Sequence, residues 1–490
     1  MELVKIKKLN NIFIQICCEK DLQMGLYDYF SYFVPGYRFT PTYRNKLWDG
    51  KIRLFRLKNS TIYVGLLNKV IEFLEHKNVK YVVDQSLRQK FVTKEYAKKF
   101  VEAIPLPYPI RDYQKNAAIN AIVNSRQLLL SPTGSGKSLI IYVLAMWYLY
   151  KKCKILIIVP TTSLTKQLYS DFQEYSKNNR FNPETSCTTI YSGQEKYTNH
   201  PVKISTWQSI IALIKKDPKY LHQFTAVIVD ECHGAKSKSL VSILENMINA
   251  VYRVGMTGTL DGSVTHENVI TGLLGDVVEV SKTVDLIAQE YLSELEIQCH
   301  ILKYPESLCR EYRKMKYADE VKMLNSNEFR NLYIVNLAKI QKSNTLILFR
   351  FIETHGKIIE FLLKEALPER NIYFVTGNTK VNARELVRKT VETESNAIIL
   401  ASVGVFSTGI NIKNLDNIIL ASPTKSKIQL LQGIGRTLRI SPTGNSAVVH
   451  DIVDDIQYKS HTNYTYQHFL ERLAIYTREQ MKYKVLTKKL

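Results

Sequence analysis

Paired cysteines, long apolar runs and acidic residues are all scarce in this chain. Its seven cysteines are scattered, apart from the adjacent Cys17 and Cys18. None has the C-x-x-C spacing that clamps zinc or closes a redox bridge, so a reduced, cytoplasmic setting is expected. The longest apolar run, Leu139 to Tyr150, falls short of the ~20 residues a helix needs to cross a bilayer. The opening residues MELVKIKKLNN lack the apolar stretch of a secretion signal, and no membrane segment is expected. Low-complexity tracts and internal repeats of 20 to 50 residues are absent too, which argues against solenoids and disordered tails.

The shortage of acids matters most. Lys and Arg number 67 against 45 Asp and Glu, a formal charge of +22. Such an excess favours polyanionic partners, because a phosphate backbone gains by exchanging its counterions for side-chain cations. With 45% hydrophobic and 23% charged residues over 490 positions, the chain has the composition of a folded protein of about three domains.

Two series of short strand-like runs organise it. QLLLSPTGSGKS, KILIIVPTT, VKISTWQS, FTAVIVDECH and YRVGMTGT follow one another between about Asn124 and Leu260. NTLILFR, NIYFVTGN, NAIILAS, LDNIILAS and SAVVHDIV follow between Ser343 and Val453. Strands alternating with helical patterns predict a parallel sheet whose loops gather at one edge. The expected fold is α/β: two tandem parallel-sheet lobes, with a small basic α+β N-terminal domain and a C-terminal helical tail. The expected boundaries are 1–100 for the N-terminal domain, 101–260 for the first lobe, 261–342 for a connector, 343–455 for the second lobe and 456–490 for the tail. In the tail, Phe469, Leu470, Leu473 and Ala474 at helical spacing predict a docking helix with a basic outer face.

Three motifs carry chemistry. Ser131-Pro132-Thr133-Gly134-Ser135-Gly136-Lys137-Ser138 stands between an apolar strand and an apolar helix. Its glycines let backbone N–H groups converge on phosphate oxygens; Lys137 would hold the β and γ phosphates and Ser138 would ligate magnesium. Ser131 occupies the place of the usual first glycine. Asp230-Glu231-Cys232-His233 ends an apolar strand about ninety residues on, Asp230 suiting magnesium bound through water and Glu231 the activation of a hydrolytic water. In Gln432-Gly433-Ile434-Gly435-Arg436-Thr437-Leu438-Arg439, the two arginines share a helical face, as needed to meet a triphosphate across a cleft.

In this order the motifs resemble those of superfamily 2 helicases of the DExH type, over about residues 108–455. The resemblance implies ATP and Mg²⁺ as cofactors, with Gln432 part of the catalytic set. It also implies that Gln114 reads the adenine edge and that Arg111 lies near the nucleotide. Thr161 and Thr162, Thr206 and Trp207, Arg350, Thr376 and Gly377, and Ser402 would track the strand, while Gly409 and Asn411 would contact nucleotide. His233, Thr257 and Thr259 would couple hydrolysis to movement. Gly258 stands where alanine is commoner, and DECH in place of DEAD points away from the ordinary RNA-unwinding branch.

The N-terminal run Gly36 to Pro41, followed by Leu47 to Leu54, resembles the leader domain of UvsW-type phage helicases, and the later runs Ala401 to Leu420 and Arg472 to Val485 resemble the same family. This implies a monomeric enzyme of the host cytoplasm that works on branched DNA by branch migration, fork regression and strand annealing. Between Arg38 and Lys58 lie seven cations, Arg38, Arg44, Lys51 and Arg53 among them, and a single acid. These suit phosphate binding. The aromatics there could stack unpaired bases, although Phe39, Trp48 and Phe55 are expected rather to fill a small core. A double-strand translocase that does not unwind, an RNA helicase and a passive binding protein with a dead motor are the rival readings.

Overall fold

The computed structural model describes residues 3–88, 92–191, 195, 197–260, 262–292, 294–405, 412, 414–422 and 447–490. Two compact units, residues 1–131 with 136–280 and residues 132–135 with 281–490, are described in turn.

The first unit opens with β1 (Val4–Lys8), β2 (Phe13–Cys17), β3 (Ser31–Phe33), β4 (Lys51–Arg53), β5 (Thr61–Tyr63) and β6 (Tyr81–Val83). β5-β2-β1-β6 form one sheet and β3-β4 an antiparallel ribbon. Val4 and Ile6 on β1 and Ile14 and Ile16 on β2 are buried at the period of two that a one-sided sheet demands. Helix Leu67–His76 shares their core through Val70, Phe73 and Leu74. Phe55 joins that core, but Phe39 is 77% exposed, contrary to its expected burial. It sits in a short turn, Tyr37–Phe39, that buries none of its residues; its neighbour Tyr37 stacks on the exposed Phe33.

Next come β7 (Arg126–Leu130), β8 (Ile155–Val159), β9 (Cys187–Ile190), β10 (Val202–Thr206), β11 (Ala226–Val229), β12 (Tyr252–Thr257) and β13 (Val277–Glu279). They form a parallel sheet in the order β13-β7-β12-β11-β8-β10-β9. β8, β10 and β11 are buried along their whole length, as strands covered on both faces must be. Helix Lys137–Tyr150, apolar all round, is correspondingly enclosed.

The N-terminal strands and the lobe share one core, closed by a backbone approach. A Cβ on Gly65 would lie 2.1 Å from the Thr271 carbonyl oxygen, so only glycine fits there. Around this contact the Tyr63 hydroxyl and the Arg56 guanidinium both reach Glu245, and Arg126 donates to the Asn11 carbonyl.

The second unit contains β14 (Leu295–Lys303), β15 (Thr345–Phe349), β16 (Ile372–Val375), β17 (Ile398–Ser402), β18 (Asn417–Leu420), β19 (Ala447–Asp455) and β20 (Lys482–Lys489). These strands are parallel, in the order β16-β17-β15-β18-β19-β14-β20. Residues 261–342, expected as a connector, divide between the two sheets: β13 joins the first and β14 lies inside the second. The tail is helix Tyr464–Arg478 followed by strand β20, so it is helical only in its first half. The helix buries Thr465, Phe469, Arg472 and Tyr476, whereas Leu470 faces out. A charged residue can belong to the inner face because Arg472 pairs with Asp451 at 2.9 Å. No described helix is long and apolar enough to cross a membrane.

Candidate functional site

In a parallel sheet the loops that follow the strands collect at one edge. β7 leads into residues 131–138, β8 into Thr161, β10 into Trp207, β11 into Asp230 and β12 into Thr259. Gly134 and Gly136 have φ of 86° and 76°, a left-handed backbone that glycine adopts without strain. Ser131 does not need to be glycine: it continues the strand, with its N–H donating to the Thr257 carbonyl at 2.8 Å.

Lys137, first residue of its helix, pairs with Glu231 at 3.1 Å, the two side chains keeping only 12% and 18% of their exposure. Asp230 accepts from the Glu231 N–H at 2.9 Å. Burial and the neighbouring Glu231 push the Asp230 carboxyl up to about 6. Burial also opposes ionisation of Glu231, but Lys137 and His233 outweigh it and hold that carboxyl well below the usual range. For Lys137, burial is outweighed by Glu231 and Asp230, which keep its ammonium charged. Glu231 adopts φ of 49°, a strained left-handed backbone costing roughly 1–2 kcal/mol in a non-glycine residue.

A polar chain runs on from Glu231. His233 Nδ1 lies 3.3 Å from Glu231 Oε2 and 3.0 Å from Thr257 Oγ1. The Thr257 hydroxyl donates to the Thr259 carbonyl at 2.9 Å. Cys232 packs beneath Gly255, where a Cβ would lie 3.0 Å from the thiol sulfur. On the other side, Gln114 is buried, accepts from the Arg111 N–H at 3.1 Å and donates to the Gly136 carbonyl at 3.5 Å. The Arg111 guanidinium reaches the Tyr113 hydroxyl. The amide of Gln114 thus joins its own helix start to the phosphate loop.

The donor set of the Ser138 hydroxyl and the Asp230 carboxylate fits a hard divalent cation, and a recessed carboxylate resisting ionisation gains from one. Sequence reasoning missed Tyr175, whose hydroxyl lies 2.8 Å from Ser138 Oγ. Tyr175 belongs to no motif and ends an ordinary amphipathic helix, so nothing in the sequence flags it.

Thr161 and Thr206 use their hydroxyls as helix caps, for Leu164 and Ser209 respectively. Each caps a helix that starts at the sheet edge, where a helix N-terminus suits phosphate; Thr162 begins the first of these helices. Trp207 is half-buried against the core. In the second sheet, Arg350, Thr376 with Gly377, and Ser402 stand at the ends of β15, β16 and β17. Arg350 is exposed and donates its N–H to Ser422; Thr376 and Ser402 are mostly buried. Gly409, Asn411, Gln432, Arg436 and Arg439 lie outside the described residues.

In the N-terminal ribbon the expected cations differ in availability. Arg53 is bound to Asp49, and Lys51 sits 4.9 Å from the Phe33 ring centroid. Arg38 and Arg44 have no acidic partner among the described residues, and with Tyr43, Lys46, Leu47, Trp48 and Asp49 they line an open cavity of about 610 Å³.

Two RecA-like sheets with a phosphate loop and DECH segment on the first define an ATP-driven motor of helicase superfamily 2. Family models match residues 4–84 to the N-terminal domain of DNA helicase UvsW, 107–262 to the res subunit of type III restriction enzymes and 327–441 to the conserved helicase C-terminal domain. The chain is 33% identical over 501 residues to the ATP-dependent DNA helicase uvsW of Enterobacteria phage T4, covering 97% of each. It therefore belongs to the UvsW family of ATP-dependent DNA helicases. The crystal structure of T4 UvsW matches all of both chains at 31% identity and a TM-score of 0.52. The DNA-bound type ISP restriction-modification enzyme LlaBIII shares the fold, with a TM-score of 0.59 at 16% identity over 85% of this chain and 34% of its own.

Proposed function

We propose that this helicase uses ATP to remodel branched DNA, through branch migration, fork regression and annealing of displaced strands. The observation that carries the reading is the N-terminal ribbon. Arg38, Arg44 and Lys46 surround an aromatic-walled cavity, and Phe39 and Leu47 project beside them into solvent. Unneutralised cations suit backbone phosphates, and projecting apolar side chains suit the open base steps at a branch point.

In the motor, Lys137 exchanges its Glu231 partner for the β and γ phosphates of ATP. Ser138 and Asp230 are the groups that would hold magnesium, which when bound neutralises charge on the phosphate oxygens. Glu231, kept ionised, accepts a proton from the attacking water. His233, Thr257 and Thr259 carry the change at Glu231 along the polar chain toward the segment after β12. Gln432, Arg436 and Arg439, which the resemblance assigns to the catalytic set, would act on the same triphosphate, so that hydrolysis is coupled to a conformational cycle that moves the strand-holding residues. The enzyme acts as a monomer in the host cytoplasm.

The test is charge reversal of Arg38 and Arg44 to Glu. Affinity for a four-way junction, measured by fluorescence anisotropy, should fall well below wild type while stimulation of ATPase by linear single strands persists. Equal losses on both substrates would remove the junction-specific role.

A further inference from the structure

We propose that Tyr175 is a positioning residue of the nucleotide site. Its phenolic oxygen accepts the Ser138 hydroxyl proton and so turns the serine's lone pairs toward the divalent cation of the ATP complex. The inference rests on the reading of Ser138 as a ligand of that cation, and it deepens that reading.

A serine hydroxyl has one proton and two lone pairs, and it can ligate a cation only if its proton points elsewhere. Groups that take up a ligand's remaining hydrogen-bonding capacity fix its orientation and tune its affinity. Tyr175 Oη, 2.8 Å from Ser138 Oγ, is such a partner. Without a cation the bond can run in either direction; a cation on Oγ selects the one in which serine donates.

The ring is well held. Tyr175 packs edge-on against Tyr142 at 5.5 Å between centroids, and Tyr142 in turn meets Phe172 at 5.1 Å. The Asn179 amide donates to the Tyr175 carbonyl at 3.3 Å, to the Tyr142 hydroxyl at 2.9 Å and to the Pro105 carbonyl at 3.1 Å. Asn178 reaches the Leu106 carbonyl, and the Tyr108 hydroxyl donates to Glu174. The segment leading into Arg111 and Gln114 is therefore tied to the same helix end that carries Tyr175. Base recognition and cation ligation share one support.

The experiment is binding of a fluorescent N-methylanthraniloyl ATP to the full chain, titrated with Mg²⁺ and repeated in EDTA. Tyr175→Phe removes only the oxygen. It should raise the half-saturating Mg²⁺ concentration about tenfold, while leaving affinity in EDTA and the melting temperature at wild-type values. Ser138→Ala should also raise it, and adding Tyr175→Phe to Ser138→Ala should change nothing more. An unchanged Mg²⁺ requirement in Tyr175→Phe, or the same loss in the Ser138→Ala background, would overturn the proposal. If Ser138→Ala itself left the Mg²⁺ requirement unaltered, the ligand reading of Ser138 would fall first and take this inference with it.

Discussion

At the scale of single residues, the nucleotide site is a balance of charges that ATP must rearrange. Lys137 and Glu231 neutralise each other, and Asp230 resists ionisation beside them. Replacing Lys137 with Ala removes the group proposed to hold the phosphates but none of those proposed to touch the strand. DNA-stimulated ATPase should vanish while DNA affinity stays near wild type; persisting turnover would sink the phosphate-loop assignment. Thr257→Ala cuts the polar chain between His233 and Thr259. It should leave DNA-stimulated hydrolysis in place and stop strand movement, as seen by comparing phosphate release with junction processing on the same preparation.

Secondary-structure elements show what the sequence could and could not tell. Ten strands were legible as apolar runs ending in small or polar residues, because a strand buried on both faces and followed by an active loop must look like that. β14 and β20 were not legible. LEIQCHILK and KYKVLTKK alternate apolar with polar or charged residues, and their places in the second sheet are fixed by pairing across more than a hundred residues of chain. Buried charge was equally hidden: Arg330 reads as a surface arginine, yet its side chain is wholly enclosed, donating to Asp454 at 2.8 Å and to the Ala421 carbonyl at 2.8 Å. Arg330→Met leaves Asp454 buried without its charged partner, with only the Tyr304 hydroxyl, among the described residues, still donating to it, and should cost about 3–5 kcal/mol, read as a drop in the urea midpoint of the second unit. Gly65 closes the N-terminal sheet onto the first lobe at a distance no side chain tolerates. Ala at that position should expose the interface to proteolysis between residues 3 and 100, and an unchanged cleavage pattern would contradict that role.

The whole molecule responds to acid through histidines buried in the second unit. Burial pushes His450 down to about 3, and burial beside the Arg330 charge does the same to His355. A histidine whose folded value lies below its ordinary 6.5 adds stability that is present above pH 6.5 and lost as pH falls from there toward 3. Each can remove up to about 1.4 kcal/mol per pH unit across that window. The urea midpoint of the second unit should therefore decline steadily below pH 6.5, and His450→Gln should flatten the decline; a midpoint constant down to pH 4.5 would contradict it. The central claim is that an ATP-driven motor of this family is directed to branch points by its N-terminal ribbon. It is tested most directly by following ATP-dependent processing of a synthetic four-way junction beside a linear overhang duplex, with wild type and Lys137→Ala. The account predicts that the junction is resolved faster than the duplex is unwound, and that the variant does neither. Equal rates on the two substrates, or processing without Lys137, would contradict it.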